Sequence, residues 1–155
     1  GVIGLIICMI FGYGTWTFLE YMLHRYVFHF DHLLNGNRYL NYLHYTIHGI
    51  HHQIPMDPDR LVFPPAQGLV LYIILTTLYT TLFGDVLGIF LFCGFGIGYM
   101  SYDVFHYYVH HGKPSIAHLK EMKSYHTKHH YVDGNKGYGI TWKIWDRVFG
   151  TTFDD

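Results

Sequence analysis

The chain has 155 residues, of which half are apolar, 19% aromatic and only 14% charged, against about 25% charged in ordinary soluble domains. A formal net charge of -1 and the absence of any Lys/Arg-rich run exclude a nucleic-acid-binding surface. The length suits one domain, and the two cysteines, Cys8 and Cys93, sit in apolar stretches, where they read as small core hydrophobes rather than a disulfide or thiolate metal site.

In chain order, Gly1–Leu19 is free of charge and long enough to cross a hydrocarbon core of about 30 Å. It lacks the basic start of a signal peptide, and with Gly1 in place of an initiator Met the chain is expected to be a segment of a longer protein. His24 and His29 follow as H-x4-H. Five residues correspond to about 140° on a straight helix, so these two either serve different metals or the helix breaks between them. His48, His51 and His52 form H-x2-H-H, whose side chains share an arc of about 100° on a helix.

Two more charge-free runs come next, most apolar at Gln67–Phe83 and at Val86–Tyr102, and only Gly84 and Asp85 separate them. They predict a tight helical hairpin. Each half has about 17 residues, the lower end of the spanning range, so a re-entrant hairpin stays open. Gly94 and Gly98 make a GxxxG suited to close helix packing. The third span is expected to continue as a helix beyond the bilayer until Gly112-Lys113-Pro114 stops it, carrying His106 and His110 one turn apart on one face. His126, His129 and His130 then repeat H-x2-H-H. Outside these motifs, His32, His44, His111 and His118 read as surface or interfacial residues, with His44 placed to support a ligand.

Charge asymmetry predicts the orientation. Arg25, Arg38 and Arg60 lie between the first span and the hairpin, the other seven Lys/Arg follow it, and the hairpin tip has none. By the positive-inside rule both histidine-bearing segments face the cytosol.

A single H-x3-H is commonly a satisfied interfacial pair. Two H-x2-H-H triplets and two further pairs are not explained that way. Neutral imidazole is the commonest metal ligand. One four-coordinate ion does not need ten of them, whereas two ions with about five nitrogens each do. No Cys or Met lies in the clusters, which disfavours Cu(I) and Fe–S, and hydrolytic zinc usually takes three ligands and an open position. Two irons fit better, and zinc can displace Fe(II) from such sites in a purified sample.

Taken together, these motifs resemble the fatty acid hydroxylase superfamily of membrane di-iron oxygenases, and within it the fatty acid 2-hydroxylases of sphingolipid synthesis. Glu20-Tyr-Met-Leu-His24-Arg-Tyr-Val-Phe-His29, His48-Gly-Ile-His51-His52 and Asp59-Arg-Leu-Val-Phe-Pro-Pro65 carry the resemblance. So do Tyr102-Asp103-Val-Phe-His106-Tyr-Tyr-Val-His110, His126-Thr-Lys-His129-His130 and the tail from Gly137 to Thr151. H-x2-H-H alone is shared with sterol desaturases and other lipid hydroxylases. The H-x4-H opening, the H-x3-H after Tyr-Asp and the Arg-Leu-Val-Phe-Pro-Pro stretch point to the 2-hydroxylase branch.

The resemblance implies an all-α integral membrane protein whose transmembrane helices carry a cytosolic helical cap with a dinuclear site. Residues 1–155 would be one fatty acid hydroxylase domain, with spans near 1–19, 67–83 and 86–102, in the endoplasmic reticulum membrane. The ten motif histidines, His24, His29, His48, His51, His52, His106, His110, His126, His129 and His130, would hold two irons. O2 would be the oxidant and a long or very long acyl chain, free or in ceramide, the substrate. Tyr102 and Asp103 match positions near the metals, with a catalytic or substrate-orienting role. Many relatives carry a cytochrome b5 domain, so electrons are expected from a cytochrome b5-type donor and its reductase. Iron chemistry suits an unactivated C–H bond, which side-chain acids and bases cannot break. The rivals are a sister lipid oxidase (sterol desaturase, sterol methyl oxidase or long-chain-base hydroxylase) and a membrane metal carrier. A carrier would bury ionisable groups inside the spans, and here the clusters flank them.

Overall fold

The structure, a computed structural model, describes residues 1–30, 33–62 and 65–153. His32 and the Phe63-Pro64 step of the Arg-Leu-Val-Phe-Pro-Pro stretch lie outside the described residues. Every regular element among the described residues is helical. Helix α1 (Val2–Leu23) runs into a π turn at His24–Phe28, and a second π turn at Tyr45–Gly49 joins α2 (Arg38–His44) to the short α3 (Ile50–Gln53). Asn37 starts α2 by accepting hydrogen bonds from the backbone of Tyr39 and Leu40, a side-chain N-cap.

Helices α4 (Pro65–Phe83) and α5 (Asp85–His111) form the expected hairpin around Gly84, whose φ of 78° lies in the region glycine tolerates. The amphipathic α6 (Ala117–Tyr131) and the one-and-a-half-turn α7 (Ile144–Phe149) complete the chain. With 27 residues α5 is about 40 Å long and outreaches a hydrocarbon core of about 30 Å. Its last turns carry His106 and His110, and the helix stops at Gly112, as the sequence predicts.

The first and third apolar helices pack through glycine. A Cβ on Gly94 would run into the carbonyl oxygen of Met9, and one on Gly12 into that of Leu91, so the two backbones touch where no side chain separates them. Gly98 seats the Trp16 indole, whose ring meets Phe95 edge-on at 5.2 Å. The GxxxG is therefore a packing device, with Gly12 as its counterpart on α1.

On the far sides of these helices Ile3, Ile10 and Phe11 of α1 and Leu69, Ile73 and Leu82 of α4 are each more than half exposed. Such a belt suits lipid and would drive aggregation in water. Thr76, Thr77 and Thr80 return their hydroxyl protons to carbonyls one turn back, which satisfies them without solvent. Two helices, Val2–Phe28 and Asp85–His111, are long and apolar enough to cross a membrane, and Gly68–Phe83 is shorter. Cys93 is exposed and Cys8 half-buried, so neither is a core residue, because α1 and α5 meet through glycines and leave these cysteines off their contact.

Candidate metal centre

The interior of the cap is made of imidazoles. His24, His48, His51, His106, His126 and His129 are all buried. All ten motif histidines converge into two groups, His24, His29, His48, His52 and His129 in one and His51, His106, His110, His126 and His130 in the other. In each group the five nitrogens lie within 4.8 Å of one another.

Local backbone explains the sorting. The π turn after α1 gives the His29 amide an i→i+5 bond to the His24 carbonyl at 3.1 Å. That wider turn brings two side chains, which a straight helix would splay, into the same group. On α5 and α6 the ordinary i, i+4 spacing pairs His106 with His110 and His126 with His130. Each H-x2-H-H triplet is divided. His48 and His52 enter the first group and His51 the second, whereas His126 and His130 enter the second and His129 the first. The groups share a wall where His52 stacks on His130, ring centroids 4.2 Å apart.

The donor set fits a cation in each group. Facing ring nitrogens approach to 3.1 Å for His24–His48 and His29–His129, and to 2.9 Å for His110–His126. His24 Nδ1 donates to the Tyr138 carbonyl at 2.6 Å and His129 Nδ1 to the Lys136 carbonyl at 2.8 Å. In each ring the proton is thereby fixed on Nδ1, and the lone pair of Nε2 points inward at other nitrogens. Nitrogens on opposite sides of an ion with bonds of about 2.1 Å would stand about 4.2 Å apart, consistent with the observed spread. Burial, followed by the neighbouring imidazoles, pushes the pKa of His48 and of His126 well below the ordinary value, so both stay neutral, the form that can bind a metal.

Two buried carboxylates hold the loop that fixes these tautomers. Glu20 accepts the backbone amides of Ile140 and Thr141 at 2.8 and 3.0 Å and the Thr141 hydroxyl at 2.6 Å. Asp146 accepts the amides of Tyr138 and Gly139 at 2.9 and 2.8 Å and the Thr151 hydroxyl at 2.8 Å. Desolvation raises the pKa of Asp146, and these hydrogen bonds oppose the rise. From α6, the Lys123 ammonium donates to the carbonyls of Val109, His110 and Gly112 at 2.7, 3.1 and 3.1 Å and so closes the C-terminal end of α5. Sequence reasoning assigned no role to Glu20, Asp146 or Lys123. The available signals were a lone carboxylate at the edge of a charge-free helix and another in an aromatic-rich tail.

Tyr102 and Asp103 stand one turn before His106. The Tyr102 ring stacks on His106 at 5.7 Å and Asp103 is half-buried beside it. His44, outside both groups, lines a cavity of about 320 Å³ together with His29, His48, Gly49 and His52. His118 hydrogen-bonds the Thr141 carbonyl at 3.1 Å and stacks on Trp142, a structural role within the cap. His111 joins neither group and packs on Tyr107.

Comparison with known proteins agrees with this geometry. The profile of the fatty acid hydroxylase family matches residues 9–151. A dihydroceramide fatty acyl 2-hydroxylase of Arabidopsis thaliana is 44% identical over 96% of this chain and 61% of its own length. The ceramide very long chain fatty acid hydroxylase of Saccharomyces cerevisiae is 39% identical over 93% of this chain and 38% of its own. The fatty acid 2-hydroxylase of Homo sapiens is 37% identical over 92% and 39%. A solved structure of full-length scs7p, in which only the hydroxylase domain is visible, superposes with a TM-score of 0.91 at 35% identity, covering 99% of this chain and 58% of that one. The chain thus spans about three fifths or less of the curated relatives' length.

Proposed function

This chain belongs to the fatty acid hydroxylase family, and from that premise we propose that it hydroxylates carbon 2 of long or very long acyl chains, free or within ceramide, using O2. The observation that carries the proposal is the pair of five-histidine groups assembled where two apolar helices end. His24, His29, His48, His52 and His129 would hold one iron and His51, His106, His110, His126 and His130 the other, with zinc as a substitute in isolated protein. Bound iron would supply the redox chemistry with O2 that an unactivated C–H bond requires.

The chain's own residues do the rest. Glu20 and Asp146 hold the 137–141 loop, so that Tyr138 keeps the proton of His24 on Nδ1. Lys123 fixes the end of α5, and with it His106 and His110. Tyr102 and Asp103, one turn before His106, would meet the polar head of an acyl substrate while its chain stays among the helices. With the basic segments on the cytosolic side, the cap would face the cytosol at the endoplasmic reticulum membrane, where a cytochrome b5-type donor and its reductase would supply electrons.

Lipid profiling after expression in cells lacking 2-hydroxy lipids tests the reading. New 2-hydroxy acyl species with oxygen from labelled O2, and none from labelled water, are expected. Full turnover by zinc-loaded, iron-free protein would overturn it, because zinc has no redox chemistry.

A further inference from the structure

Helix α7 turns a different chemistry to each of its four sides. Asp146 points into the core, and Trp145 and Phe149 pack on α1 at Phe18 and Tyr21. Ile144 and Val148 are 55% and 63% exposed, as is much of the neighbouring Trp142. Lys143, just before the helix, and Arg147, one turn on, border a cavity of about 340 Å³ whose other wall is the α6 face of Glu121, Tyr125 and Lys128.

The height of α7 is set by α1. Trp142 donates its indole proton to the Tyr13 hydroxyl at 3.3 Å, and Trp145 donates to the Thr17 hydroxyl at 3.2 Å. Tyr13 and Thr17 belong to the last turns of the first charge-free run, so α7 lies where that run leaves the bilayer. Trp and Tyr favour this depth. Exposed Ile144 and Val148 would be a liability in water and are at home against acyl chains.

The cavity beside them is cationic. Among the described residues, Lys128, Lys143 and Arg147 line it with one carboxylate, Glu121, which is already engaged by Lys143 at 2.7 Å. The Lys143 ammonium also lies 4.4 Å above the Tyr125 ring, which holds it at the cavity wall. A phosphate is the group that three convergent cations at a membrane surface would take.

We propose that the cleft between α6 and α7 binds the phosphate of an anionic membrane phospholipid, with Lys128, Lys143 and Arg147 on the headgroup and Trp142, Ile144 and Val148 against its acyl chains. This site is separate from the histidine groups, and the inference rests only on the membrane placement of α1. An anionic lipid there would brace α7 and, through Asp146, the loop that orients His24.

Native mass spectrometry of the detergent-purified, metal-loaded protein tests the assignment with dioleoyl phosphatidic acid and dioleoyl phosphatidylcholine as probes. Phosphatidic acid should be retained roughly tenfold more strongly than phosphatidylcholine, since each cation near such a headgroup contributes several-fold. The preference should vanish in Lys143→Gln/Arg147→Gln and survive in Lys143→Arg/Arg147→Lys, with metal content matching wild type as the check on folding. Excess inorganic phosphate should not displace the lipid. Equal retention of both lipids by wild type overturns the proposal, and so does an unchanged preference in the Gln variant. Displacement by inorganic phosphate also overturns it, since the cleft would then be a site for soluble anions.

Discussion

The Tyr138 carbonyl oxygen lies 2.6 Å from Nδ1 of His24, across 114 residues of sequence. This contact sets which ring nitrogen of His24 faces the other imidazoles, and it depends on residues outside both histidine groups. Arg25 donates to the Tyr21 hydroxyl, Tyr21 to Thr151, and Thr151 to Asp146, whose carboxylate holds the Tyr138 and Gly139 amides. Glu20 grips the next two amides of the same loop. The metal-binding geometry is thus braced by hydrogen bonds between the end of the first helix and the C-terminal loop.

Glu20→Ala should strip three donors of their partner in a buried site. The expected cost is on the order of 3 kcal/mol, together with loss of metal from the group containing His24. Glu20→Gln keeps one acceptor oxygen and should fall between Ala and wild type. Thermal melts and metal analysis of the three proteins check the order, and a Glu20→Ala protein with wild-type melting would show that the carboxylate does not brace the loop.

The division of the histidines can be read out directly. His52→Ala should empty or weaken the first group and leave the second intact, and His110→Ala should do the reverse. Metal per chain should fall by about half in either, and 2-hydroxy product should disappear in both, since the two groups share the His52–His130 wall. His118→Ala, which loses one bond to the Thr141 carbonyl, should keep both metals and cost about 1 kcal/mol. Retention of both metals by His52→Ala and His110→Ala would refute the assignment.

Lys123→Met should act at a distance from any ligand atom. Removing the ammonium leaves the last carbonyls of α5 without their charged donor, at a cost of about 2 kcal/mol for the half-buried end. Because His106 and His110 ride on that end, metal should be lost from the second group before the first. Equal loss from both groups would mean that Lys123 stabilises the cap as a whole.

Much of this arrangement was legible in the sequence because ligand spacing and span length are local properties. The hairpin at Gly84 and the stop at Gly112 follow from short-range patterns, as does the spacing that marks the ten histidines, whereas their convergence joins residues as far apart as His24 and His129. The spacing of His24 and His29 allows two alternatives, since nothing in His24-Arg-Tyr-Val-Phe announces a π turn and only the shared site rewards one. The roles of Glu20, Asp146 and Lys123 were hidden for a related reason. Most of their partners are backbone groups, which carry no sequence signature.

Acid should dismantle the site through its own ligands. Burial, before the neighbouring imidazoles, lowers His29 and His51 from 6.5 to about 3, and burial lowers His129 to about 4. Between those values and 6.5 the unfolded chain binds more protons than the folded one, so stability rises with pH through this window and is lost as pH falls. Metal-free protein should therefore melt at lower temperature at pH 5 than at pH 7, and metal should be released over the same range because protonated imidazole is no ligand. A melting temperature that is flat from pH 7 to pH 5 without metal would contradict buried neutral histidines.

The orientation of the cap is open to a test that does not depend on activity. Three Lys/Arg lie between the first span and the hairpin and seven follow it, with none at the hairpin tip, so the positive-inside rule puts both histidine segments in the cytosol. Glycosylation acceptors inserted near Asn35 and near Asn135 should stay unmodified in microsomes. At about 40 Å, α5 is long enough to carry its start across the bilayer while its histidine end remains outside. Its partner α4 has 19 residues and is about 28 Å long, just under the thickness of a hydrocarbon core of about 30 Å. An acceptor at Gly84 should accordingly be modified once a short polar spacer lifts it clear of the headgroups. Modification near Asn35 or Asn135 would invert the topology. A tip that stays unmodified even with the spacer would make α4 and α5 a re-entrant pair.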